Sequence, residues 1–191
     1  MAMVDQQRSN PPIDGAGVPA TVFDRIPLPL RRTVYYIGFL GVMLALMPLG
    51  VLELERLLLP SIAVPLAVRI LGGVIAVGFL GAYTACSFHL MSRGAGTYVE
   101  FDPPKHFVAT GPFRWCRNPI AASLVGMILG EALALSSLGL LIVFLIALPI
   151  AHAQVVLVEE PLLAKRFGST YEEYRRTVPR WIPRPPRNAG S

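Results

Sequence analysis

Two short stretches of this sequence concentrate the side chains that can hold a charged ligand. The first runs from Thr110 to Ser123, TGPFRWCRNPIAAS, where Arg114 and Arg117 lead into Asn118, Pro119 and an apolar run. An Asn-Pro pair in that setting marks a helix start: proline at the first helical position has no N–H to lose, and the Asn118 side-chain oxygen can cap the free N–H groups behind it. That end of a helix carries unpaired N–H groups and a partial positive charge, so together with the arginines it suits an anionic group. Positive-inside anchoring accounts for the arginines but not for the dense GPFRWCRNP spacing. His106, just upstream, is a ligand contact or an ordinary loop histidine.

The second stretch follows Pro149, where His152, Gln154, Glu159 and Glu160 come in quick succession. His152 and Glu159 are seven residues apart and share one face if the helix continues. Polar groups on one face at a membrane boundary point into a bundle or cavity. For Glu160 a solvent-facing helix-end carboxylate is the competing reading, and both stay open.

The elements that must carry these groups are membrane helices. Of the 191 residues 53% are hydrophobic and only 15% charged, with a mean hydropathy of +0.55, outside the range of soluble domains. Four apolar segments, at about 33–52, 62–91, 119–136 and 137–157, approach the roughly 20 residues a helix needs to cross a bilayer. The last two form a hairpin turning at Ser136, Ser137 and Gly139. The chain therefore reads as an all-α, polytopic integral membrane protein of about four transmembrane helices. Residues 1–30, polar and rich in proline and glycine, read as a flexible tail and not a cleavable signal. Residues 31–183 form one transmembrane domain, and 184–191 a short C-terminal tail.

With alternating helices the tail, the loop 92–118 and everything past residue 157 share a side, which holds 15 of the 17 basic residues. That side is then cytoplasmic, with both termini and the site on it, in a bacterial-type inner or plasma membrane. The other side has a short loop at Glu53, Glu55 and Arg56 and the turn near Ser136. Net charge +5 thus reflects anionic lipid and not nucleic acid. Cys86 and Cys116 sit where neither a disulfide nor a metal site is suggested. Tyr35 and Tyr36 read as interfacial anchors. Arg69 and Glu131, at comparable depth near the outer end, read as an ion pair. Gly94 and Gly96 either stop the second helix or let a ligand approach the backbone. Lipid-facing and partner-facing apolar surfaces look alike, so the oligomeric state is not specified.

Beyond Pro161 the pattern turns amphipathic. Leu162, Leu163 and Phe167 form an apolar set, Gly168 ends that turn, and Ser169 with Glu172 makes a capping box for a new short helix. Tyr171, Tyr174 and Val178 follow on one face beside Arg175 and Arg176, and Pro179 stops the helix. This segment is a membrane-surface helix or a lid over the loop.

The string HFVATGPFRWCRNP from His106 to Pro119, together with EEPLLAKRFGSTYEEYRRTVPRWIP from Glu159 to Pro183, resembles the isoprenylcysteine carboxyl methyltransferase family and its relatives among membrane phospholipid methyltransferases. The similarity covers roughly residues 70–183, with both motifs in order around the helical hairpin. It implies a membrane enzyme that binds S-adenosylmethionine at the cytosolic face and methylates an amphiphilic, lipid-like or prenylated carboxylate acceptor entering from the bilayer. It implies cofactor contacts at His106, Thr110, Gly111, Pro112, Arg117, Asn118, Pro119, Glu159 and Glu160, catalytic roles for Arg117, Glu159 and Arg175, and acceptor contacts at His152, Tyr171, Tyr174, Arg180 and Trp181. Where the family has Arg-His-Pro-x-Tyr-x-Gly, this chain has Arg117, Asn118, Pro119, Ile120, Ala121, Ala122 and Ser123. Ala121 lacks the ring and hydroxyl of that tyrosine. A non-catalytic lipid- or small-molecule-binding module of the same fold is the alternative, and a nicotinamide-dependent, sterol-reductase-like enzyme a further one.

Overall fold

The computed structural model describes residues 26–94 and 104–185. Most of the N-terminal tail, Gly96 and the end of the C-terminal tail lie outside these residues. Among the described residues the protein is helical, without strands. Helix α1 is Leu28–Leu58, α2 Leu66–Gly94, α3 Pro119–Leu135, α4 Leu138–Gln154 and α5 Glu160–Thr177. α1, α2 and the run from Leu138 through α5 are long and apolar enough to cross a membrane. The apolar α3, at 17 residues, is at the short end of what can span.

Two π-helical turns interrupt this framework, at Val42–Leu46 within α1 and at Val155–Glu159 between α4 and α5. Each lies just ahead of a proline, Pro48 or Pro161. A proline ring clashes with the carbonyl four residues earlier and offers it no N–H; those carbonyls belong to Leu44 and Leu157, inside the two π turns. Pro149 is carried within α4 without such a turn. The second π turn changes the site, because a π turn takes up an extra residue. His152 and Glu159 consequently do not form one continuous α-helical face. His152 is exposed, Glu159 half-buried, and Glu160, eight residues after His152, is the buried one.

α2 and α3 make the most extensive helix pair, and small residues set its closeness. A Cβ on Gly130 would lie 2.4 Å from the Ala76 backbone nitrogen, and one on Gly72 would lie 2.5 Å from that of Ala134. Gly126, four residues before Gly130, receives the Phe79 ring, 2.5 Å from where its Cβ would be. This is small-residue packing of the kind that lets membrane helices approach backbone to backbone. Gly130→Ala must push the helices apart, and overpacking of this sort costs about 1–3 kcal/mol. Thermal unfolding in detergent should show a clear loss for Gly130→Ala and none for Gly78→Ala, whose added methyl meets open space. Equal melting of the two variants would contradict the close contact.

The end of the bundle away from the 104–118 loop corrects two expectations. Glu53, Glu55 and Arg56 are not a loop; they form the last turns of α1, which runs to Leu58. Glu55 is buried and accepts from the backbone N–H of Leu138 at 3.0 Å and Gly139 at 3.1 Å, and from the Ser137 hydroxyl. A carboxylate from one helix thereby caps another, where the dipole of α4 favours negative charge. Arg69 does not pair with Glu131. Its Nε donates to the carbonyl of Ala134 at 3.1 Å, satisfying one of the orphan acceptors in the last turn of α3. Glu131 is 8% exposed and its Oε2 has no hydrogen-bond partner among the described residues.

Candidate active site

The polar end of the bundle is assembled from three pieces: the loop 104–118, the π turn with the start of α5, and the segment 178–185 that follows α5. The loop is tied to the end of α2 at Gly94, whose carbonyl accepts from the N–H groups of Lys105 at 2.7 Å and His106 at 3.0 Å. It then tightens into a 3-10 turn, Gly111–Arg114. Gly111 has φ +58°, the left-handed region glycine enters without steric cost. Its Cα lies against the imidazole of His89, which also hydrogen-bonds the Thr110 hydroxyl at 2.9 Å. Phe113 is buried, and its carbonyl accepts from the Tyr174 hydroxyl at 2.7 Å.

The segment after α5 is strapped beneath this loop. The N–H of Arg117 donates to the Pro179 carbonyl at 2.9 Å, and that of Arg184 to the Trp115 carbonyl at 3.0 Å. The Asn118 amide donates to the Arg180 carbonyl at 3.1 Å. The Cys116 thiol donates to the carbonyls of Arg180 and Trp181; burial pushes its pKa up, keeping the proton on sulfur. Asn118 is the N-cap residue of α3 and Pro119 its first residue, as expected, but the Asn118 side chain makes no cap hydrogen bond. Its amide is used to tether the strap.

A three-membered ion cluster lies at the junction. Glu160, 5% exposed, accepts from Arg117 Nη1 at 2.9 Å and Arg180 Nε at 2.7 Å on one oxygen, and from Arg180 Nη2 at 3.0 Å on the other. The Arg117 side chain is 9% exposed and that of Arg180 32%. The hydrogen bond to Glu160 raises the Arg180 pKa above its ordinary value. Two guanidiniums on one carboxylate leave excess positive charge beside the first turn of α3. Arg117 Nε is buried there, and His106 Nδ1 is buried within the loop, each without a hydrogen-bond partner among the described residues; polar atoms left so are the kind a ligand satisfies.

Between α3 and α4 runs an apolar cleft of about 320 Å³ lined by Ala122, Val125, Leu148, Ala151, His152 and Trp181. At its polar end Trp181 Nε1 donates to His152 Nδ1 at 3.1 Å. An indole N–H can only donate, so Nδ1 of His152 carries the lone pair, and the ring's one proton in its neutral form is on Nε2.

The expected site residues thus fall into groups. His106, Thr110, Gly111, Pro112, Arg117, Asn118, Pro119, Glu160 and Arg180 belong to the loop, strap and ion cluster, and His152 and Trp181 to the cleft. Glu159 lies half-buried in the π turn beside them. Tyr171 and Tyr174 border this assembly: with Phe167 and Phe107 they form an aromatic cluster, Phe107 meeting both tyrosine rings edge-on, while the Tyr174 hydroxyl reaches the loop at Phe113 and that of Tyr171 bonds the Arg117 side chain. Arg175 pairs with Glu172 at 2.8 Å on the more exposed side of α5. Gly168 has φ +54° and breaks α5 where a new helix was expected to begin. His89 and Cys116 were not anticipated as parts of the site. The polar cluster Cys86, Ser87 and His89 within an otherwise apolar helix was the available sign.

Comparison with known proteins identifies the family of the chain. The family model described as phospholipid methyltransferase matches residues 68–170, more than half of the chain, from α2 across the loop and the hairpin into α5. The nickel-cobalt-cadmium resistance protein NccN of Alcaligenes xylosoxydans xylosoxydans is 28% identical over 112 residues, covering 58% of this chain. The aligned part spans 50% of that relative's length. Loop, hairpin and the start of α5 all fall inside the matched span, and the chain belongs to the phospholipid methyltransferase family of membrane proteins.

Proposed function

We propose that this protein is an S-adenosylmethionine-dependent methyltransferase acting at the cytoplasmic face of the membrane on an amphiphilic acceptor with an anionic oxygen. The observation that carries it is the electropositive corner at Arg117, where the Arg117 Nε is buried without a hydrogen-bond partner among the described residues just ahead of the free N–H groups of α3. That donor set fits the carboxylate of an amino-acid-like cofactor. Glu159, at the opposite end of the π turn from His152, holds the ammonium, and the loop Thr110–Pro112 flanks the adenosine. Glu160 acts as counter-ion, keeping Arg117 and Arg180 in place. When bound, the cofactor supplies an electrophilic methyl group on a sulfonium.

The cleft between α3 and α4 takes the hydrocarbon part of the acceptor directly from the bilayer. At its mouth the chain offers donors: Nε2–H of His152 and the guanidinium of Arg180. The Nδ1 lone pair of His152 is occupied by Trp181. A carboxylate needs orientation but no base, being a nucleophile already at neutral pH, whereas an amine or thiol must lose a proton to a free acceptor. The mouth therefore favours O-methylation. Apolar walls exclude water from the transferring methyl group.

The test is incubation of the purified protein in nanodiscs with methyl-labelled S-adenosylmethionine and, in separate reactions, a prenylated cysteine, phosphatidylethanolamine and a host lipid extract. Base-labile label in the carboxylate acceptor is the expected result. Stable label in phosphatidylethanolamine would overturn the O-methylation assignment. No label in any acceptor, with no thermal shift on adding cofactor, would sink the methyltransferase assignment itself.

A further inference from the structure

His89 is the one histidine left without a role in the site as proposed, and its surroundings are specific. It sits one turn from the polar end of α2, and three consecutive features of the loop converge on its ring. The Thr110 hydroxyl is 2.9 Å from Nε2. Gly111 lies so close that a Cβ there would be 2.6 Å from Cε1 and 2.7 Å from Nε2. The Phe113 ring stacks on it with centroids 6.3 Å apart and planes at 28°. From the other side Tyr174 holds the Phe113 carbonyl. Residues 110–113 are thus gripped between α2 and α5, and the φ of +58° at Gly111 is the conformation that lets the backbone lie on the imidazole.

We infer that His89 is a positioning residue for the methyl-donor site: it fixes the Thr110 hydroxyl and seats the Gly111 backbone, so that the 3-10 turn presents one preformed surface to the adenosine. The inference rests on the cofactor assignment proposed above. Its physical basis is preorganisation. A loop held in its bound conformation loses little entropy on binding, whereas a freed loop must be ordered at the expense of affinity. Glutamine can place an amide nitrogen near the position of Nε2 and keep the bond to Thr110; alanine keeps neither the bond nor the platform.

Calorimetry with S-adenosylhomocysteine on the full-length protein in detergent, paired with ligand-free thermal unfolding, tests this. His89→Ala should weaken binding by about tenfold or more, His89→Gln should recover most of that loss, and Thr110→Val in the His89→Ala background should add little, because both act through one contact. Tyr36→Phe is the structural comparison: it removes a 2.7 Å hydrogen bond to Thr84 in the α1–α2 contact, and should change melting without changing affinity. Wild-type binding with unaltered affinity in His89→Ala would overturn the inference alone, as would Tyr36→Phe weakening binding as much as His89→Ala. A wild-type protein that does not bind S-adenosylhomocysteine would overturn the cofactor assignment, and the role of His89 with it.

Discussion

A Glu160→Ala protein will unfold well below the wild type and will not bind S-adenosylhomocysteine. Glu160 is the shared acceptor of two guanidiniums, and Arg117, 9% exposed, has no solvent to fall back on. Removing one partner of a buried ion pair leaves an unpaired buried charge, at a cost of about 3–5 kcal/mol. Arg180, with a 32% exposed side chain, can recover hydration, so Arg180→Ala should cost less. Arg117→Ala falls between them, because Glu160 keeps Arg180. The replacement of both buried partners, Arg117→Met with Glu160→Leu, should recover much of the melting temperature, since well-packed apolar groups often substitute for a buried pair without loss. It should not recover ligand binding. Stability and binding that return together in the double variant would show that the ion cluster only holds the fold, and that Arg117 does not meet the cofactor.

The elements were legible because membrane helices announce themselves by long apolar runs, and the four segments read from hydropathy became α1 to α4 with ends shifted by at most six residues. The 110–119 loop, the N-terminal position of Pro119 and the break at Gly168 were also legible, since proline and glycine impose local geometry whatever surrounds them. What failed was side-chain partnership. Asn118 has the composition of a cap and instead tethers the strap at Arg180; Arg69 has a carboxylate at matching depth and instead takes the Ala134 carbonyl. Each choice is made by a tertiary neighbour that spacing along the chain does not reveal. The register past Val155 failed for another reason: helical periodicity assumes a constant turn, and a π turn moved the buried position from Glu159 to Glu160. The Gly126-x-x-x-Gly130 pattern is a further sign in the sequence, here of close helix contact.

The departure at Ala121 and the cleft beside it lead to the second large effect. Ala122 and Ala151 face the cleft from α3 and α4, and their small size is what leaves room between helices that otherwise touch. Ala122→Phe or Ala151→Phe should fill that room. Because the cleft is open at the protein surface, the added ring can be accommodated with far less strain than in a closed core, and affinity for S-adenosylhomocysteine should stay within about threefold of wild type. Methyl transfer to a long-chain acceptor should fall by on the order of a hundredfold, the loss expected when an apolar group worth about 2–3 kcal/mol of burial is shut out. A short-chain analogue of the same acceptor, which never relied on the cleft, should lose little. Ala122→Leu should give an intermediate effect, graded with the volume added. Equal losses for long and short chains would mean that the substitutions disturb the reacting centre and not a chain-binding groove, and no loss for either would mean that the acceptor reaches Arg180 and His152 by another route.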